Sequence, residues 1–105
     1  MAYSRTEICG AILQLIDEFR SDGLPLHELA TRLDVGLSML VDMDIEWMKA
    51  ARRKWSIIEE VNAVTLDSPD RKLSDANRDI ALQAAHDLQD MIDGALLTGS
   101  TCHEE

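Results

Sequence analysis

His86, Asp90 and Asp93 recur at i, i+4 and i+7, a spacing that stacks an imidazole and two carboxylates on one helical face and could hold a divalent cation. That face lies opposite the apolar stripe of the same segment, where a solvated surface is the simpler reading, and no metal is assigned to it. Asp42-x-Asp44-x-Glu46 has the alternation that opens a calcium loop, but Trp47 stands where the sixth-position glycine is needed and no glutamate follows at the twelfth. Gly36, Gly94 and Gly99 stand apart from one another, so no glycine-rich phosphate loop exists. Nothing in the spacing proposes a nucleophile and its base. The expectation is a protein without catalytic, cofactor or metal residues.

Two clusters remain. Lys49, Arg52, Arg53 and Lys54, joined by Arg71, Lys72 and Arg78, could contact phosphates; Arg52, Arg53, Arg71 and Lys72 are the nucleic-acid candidates. The preferred reading is structural: cations near the C-terminus of a helix favour its macrodipole and pair with carboxylates on neighbouring segments. The second cluster is Met39, Met43 and Trp47, an adaptable apolar stripe suited to a partner helix or subunit. Its alternative is internal core.

Charge sets the terms on which either cluster works. The chain carries ten basic and twenty acidic side chains, a net charge of −10, and the balance is uneven. Residues 1–48 carry −6, residues 49–78 carry +2 and residues 79–105 carry −6. Only the middle third could attract an anion, and acidic flanks discourage nonspecific binding to nucleic acid. With 46% apolar residues, a chain of this length can bury an aliphatic core as one domain. Cys9 reads as a small core residue and Cys102 as an exposed thiol, with no disulfide framework. The expectation is one domain over residues 1–97 and a flexible acidic tail at 98–105, in a cytoplasmic protein without a signal peptide.

The elements that must position these groups are helical. Ser4 and Glu7 form a capping box ahead of Ile8, Ile12, Leu15, Ile16 and Phe19, which predicts a first helix at about 5–21 ended by Asp22-Gly23. Pro25 opens a short second helix with Leu26, Leu29, Ala30 and Leu33 inward; Asp34-Val35-Gly36 reads as the turn after it. A third helix over about 37–54 spreads apolar residues around an arc of about 240°, wider than one packed face needs. Asp44 interrupts the middle of that arc. Residues 55–66 could prolong the helix or form a hairpin; Ile57, Ile58, Val61, Val64 and Thr65 favour the hairpin, turned at Val61-Asn62-Ala63. Asp67-Ser68-Pro69-Asp70 is a turn. Ser74 caps a last helix with Ile80, Ala81, Ala84, Leu88, Met91, Ile92, Ala95 and Leu96 inward, and Gly99 lies just past its end.

The stretch LPLHELATRLDVGLSML resembles the tri-helical core of helix-turn-helix and winged-helix domains, in which Leu-Ala-x-x-Leu precedes a short turn and a small polar residue. The resemblance covers about a quarter of the chain. It implies a mainly α domain: a three-helix core, a small β-hairpin wing and a long C-terminal helix. A plain four- or five-helix bundle is the alternative. It also implies DNA binding, yet the helix that would read bases carries Asp42, Asp44 and Glu46, which phosphates repel. The function expected is therefore a non-enzymatic protein-interaction or regulatory module, a homodimer joined through its C-terminal helix. A winged-helix transcriptional regulator is the second reading.

Overall fold

The computed structural model describes residues 4–40, 43–70 and 72–102 as four helices, with no strand among them. The first, α1 (Arg5–Arg20), begins at the expected capping box: Glu7 N–H donates to Ser4 Oγ at 3.1 Å and Ser4 N–H donates to Glu7 Oε1 at 2.9 Å. It ends in a Schellman motif, with Asp22 N–H on the Phe19 carbonyl and Gly23 N–H on that of Glu18. The left-handed residue of that motif is Asp22, at φ 67°, rather than the glycine beside it.

Pro25 leads into α2 (Leu26–Met39), which buries Leu26, Leu29, Ala30, Leu33 and Leu37. The helix passes straight through the expected turn at Asp34-Val35-Gly36, and Gly36 has no left-handed backbone. What Gly36 supplies is closeness: a Cβ built there would lie 2.8 Å from Ile12 Cγ1, so its missing side chain lets α2 approach α1.

The chain breaks at Leu40 instead, and α3 (Ile45–Asp67) starts five residues after it. Asp44, which had read as a polar interruption, is the cap: its Oδ2 accepts from the Glu46 and Trp47 amides at 3.0 and 3.2 Å. Val41 and Asp42 lie outside the described residues. No wing follows, because residues 55–66 continue α3, with Ala51, Ile58, Val61 and Thr65 buried along its inner side. Five residues of that segment favour strands intrinsically, but the buried ones, Ile58, Val61 and Thr65, recur at helical spacing and packing decides.

Ser68 and Pro69 end α3, and Ser74 caps α4 (Asp75–Cys102) by accepting the Asn77 amide at 3.1 Å. Gly99 falls inside α4 instead of ending it. Tyr3, Arg71 and residues 103–105 lie outside the described residues.

Each helix packs against two others: α1 on α2 and α4, and α3 on α2 and α4, while α1 with α3 and α2 with α4 stay apart. Neighbours run antiparallel, as Arg52 meeting Asp34 while Trp55 meets Ala30 shows for α2 and α3. This is an up-down four-helix bundle, the alternative to the tri-helical core. Its centre holds Phe19, Ile12, Ile16, Leu29, Leu33, Leu37, Ile58, Leu88 and Ile92, all essentially without exposure. Cys9 joins them; burial pushes its thiol up, against the pull of Arg5, and leaves it protonated and inert.

Candidate functional site

Both described tryptophans sit on α3 and use their indole N–H groups between helices. Trp55 donates to the Ala30 carbonyl at 2.8 Å, and Trp47 donates to that of Met91 at 3.4 Å. Trp47 and Met43 are half-buried against the core. Met39, on the last residue of α2, is 38% exposed. The expected stripe of Met39, Met43 and Trp47 is therefore distributed over α2, the connection and α3, and two of its three members face inward. The stripe came from running one helix through residues 37–54; once the helix breaks before Asp44, the three no longer share a face.

The cations are likewise split. Arg52 Nη1 meets Asp34 Oδ1 at 2.7 Å, its Nη2 reaches Ser38 Oγ at 2.9 Å, and its guanidinium lies over the Trp55 ring. Lys54 pairs with Asp87 at 3.0 Å. Arg78 binds Asp22 at 2.7 Å and stacks on Phe19. Arg53 and Lys49 are exposed with no ion pair among the described residues, and Lys72 is exposed beside Asp70. Arg71 lies outside the described residues. The macrodipole account of this cluster fails, because the cations occupy the first half of α3 and its last turn holds Asp67 and no base. The turn and wing that would have aimed Arg52, Arg53 and Lys72 at DNA are both helix.

The Lys54–Asp87 bridge has a measurable signature. Its hydrogen bond from Lys54, helped by that from Gln83, holds the Asp87 carboxyl below the ordinary aspartate value. A depressed folded-state pKa contributes stability above the unfolded value, and that contribution disappears as pH falls through the folded one. Asp87→Asn is therefore expected to be less stable than the parent at pH 7 and to approach it below about pH 4, in urea melts at each pH.

Two concavities compete as sites. One closes the end of the bundle where the α1–α2 and α3–α4 turns meet, about 440 Å³ lined in part by Phe19, His27, Asn62, Thr65 and Arg78. Its cation is already engaged by Asp22 and Phe19. The other is a shallow groove of about 410 Å³ lined, among the described residues, by α3 side chains: Ile45, Met48, Lys49, Arg52, Arg53 and Ser56. Ile45 is 67% exposed there. An apolar floor with a cationic rim on a chain of net charge −10 is the most distinctive surface of the molecule. Ile45 is not legible as a surface residue while a single helix is expected over about 37–54; Asp44 as an N-cap is the signal that moves it.

Among the described residues no three His, Cys, Asp or Glu side chains cluster as a metal site, and no helix is long and apolar enough to cross a membrane. His86 and Asp90 stand 3.5 Å apart on the exposed face of α4. Comparison with protein-family models, with curated proteins and with solved structures gives no match.

Proposed function

We propose that this chain is a non-enzymatic protein-interaction module of regulatory type that docks through the outward face of α3. The observation that supports it is the Ile45–Met48 groove with Lys49 and Arg53 at its rim. An exposed apolar patch bordered by charge is the ordinary mark of a contact surface. Leaving Ile45 in water costs solvation free energy that a partner would recover. The contact residues are thus Ile45, Met48, Lys49 and Arg53, with Met39 exposed on the outer side of α2, in place of a Met39–Met43–Trp47 stripe.

A photoreactive benzophenone side chain placed at Lys49, in the cells that naturally contain the protein, tests this. The expected result is one discrete, nuclease-resistant protein adduct, absent when the same probe replaces exposed Asp17 on α1. A nuclease-sensitive adduct would transfer the face to nucleic acid. Absence of any discrete adduct from Lys49 would remove the proposal.

A further inference from the structure

The outer face of α3 extends beyond the groove. Lys49, Arg53, Ser56, Glu60, Ala63 and Asp67 are all exposed and follow one another at spacings of four, three, four, three and four. That rhythm is the one by which a helix presents a seam to a second helix. From Lys49 to Asp67 the seam is about 27 Å long, most of the length of the 23-residue helix. Two of its six side chains, Ser56 near the middle and Ala63 beyond it, are small, and exposed apolar residues, Ile45 and Val64, flank it.

Its charge is divided. Residues 45–56 carry four cations and one anion; residues 57–67 carry three anions and no cation. Arg52 and Lys54 are engaged by Asp34 and Asp87, so the outward strip holds Lys49 and Arg53, preceded by exposed Glu46, in its first half and Glu60 and Asp67 in its second. These opposite charges do not satisfy each other along the helix. Arg53 and Glu60 are seven residues apart, two turns rather than one, while Lys49 and Arg53 are like charges at i, i+4 and repel. Among the described residues the strip thus carries two neighbouring cations, with Glu46 three residues before Lys49, in one half, and two carboxylates without an ion pair in the other.

We infer that the occupant of this face is a second copy of the chain, with the two α3 helices antiparallel about a two-fold axis near Ser56. The inference rests on the interaction-module reading and names its partner. Antiparallel pairing sets the Lys49–Arg53 half of each copy against the Glu60–Asp67 half of the other, the self-complementarity an isologous interface requires. Parallel pairing would set like against like. An acidic peptide or a phosphate backbone would engage the basic half alone and be repelled by the other. The interface joins α3 to α3, away from the C-terminal helix expected to join subunits.

Sedimentation equilibrium tests it on four samples. The parent, 11.7 kDa as a monomer, is expected to approach twice that mass at about 200 µM and 50 mM salt and to dissociate as salt rises. Lys49→Glu/Arg53→Glu and Glu60→Lys/Asp67→Lys should each associate at least about tenfold more weakly with helical content kept, and an equimolar mixture should recover the dimer. Independently of those variants, Ser56→Cys in a Cys102→Ser background should form a symmetric disulfide on oxidation, while Asp67→Cys should not. A monomeric parent, variants that associate as the parent does, a mixture that stays monomeric, or equal crosslinking at both cysteines would overturn the inference. A monomeric parent whose Lys49 probe still captures a different protein would sink the self-pairing and leave the interaction module standing.

Discussion

Replacing Gly36 with valine is expected to lower the unfolding free energy by about 2–3 kcal/mol, the range for inserting branched atoms into a filled contact. For a chain of this size that is a fall of about 10–20 °C in Tm. The cause lies across the helix pair. Even the first added carbon would stand 2.8 Å from Ile12 Cγ1 and 3.1 Å from its Cδ1, and Ile12 has no exposure into which it could retreat. Helix propensity favours valine over glycine by a few tenths of a kcal/mol, too little to offset the displacement. Alanine is the balanced case: its gain of about 1 kcal/mol in propensity opposes the same close contact, so Gly36→Ala should change stability little. The diagnostic measurement is a double-mutant cycle. Ile12→Ala alone opens a cavity, and the γ-carbons of the valine at 36 partly fill it. The double variant should then be at least about 1 kcal/mol more stable than the sum of the single losses. Additive losses would mean that Gly36 acts on its own backbone, as a turn glycine does, and not through α1.

That distinction is also where the sequence misled. Leu-Ala-x-x-Leu followed by Asp-Val-Gly has the layout of a helix and its turn, and a glycine is read most readily as a bend. A helix tolerates glycine when something packs against the bare backbone, and the thing that packs here, Ile12, is remote in sequence. Local signals with a local cause survived intact: the Ser4–Glu7 box, the stop after Arg20, the turn at Ser68-Pro69 and the Ser74 cap all stand where their side chains place them. The break between α2 and α3 had a local cause too. Asp44 precedes Ile45-Glu46-Trp47, a cap with an acid in the first turn, but continuing the apolar rhythm past Leu40 concealed it.

The contact face was legible only in part. Composition and spacing singled out Lys49 and Arg53 as members of the basic cluster and Met39, Met43 and Trp47 as an apolar stripe; Lys49, Arg53 and Met39 are exposed, whereas Met43 and Trp47 are half-buried. Which cations are free could not be read, because Arg52 and Lys54 are neutralised by Asp34 and Asp87, 18 and 33 residues away. Nor could the charge division of α3 be seen while its second half was assigned to a hairpin. Once residues 45–67 form a single rod, Lys49 and Asp67 become two ends of one strip.

Replacing Ala63 with proline is expected to cost about 3 kcal/mol or more, a large fraction of the total stability of a small domain. Ala63 is exposed, so the substitution removes no core contact. The loss comes from the backbone: the amide that donates four residues back is gone, and the ring collides with the preceding turn. The kink would fall between Val61 and Thr65, both buried, and would lift the last turn of α3 from α2 and α4 as well. Had residues 55–66 folded as a hairpin turned at Val61-Asn62-Ala63, proline there would have sat in or beside the turn at little cost. Ala63→Gly calibrates the measurement, since it leaves the amide in place and should cost about 1 kcal/mol. Urea melts at low micromolar concentration keep any association of α3 faces from contributing. A proline variant as stable as the glycine one would mean that α3 ends before Ala63, and with it would go the strip of about 27 Å on which self-pairing depends.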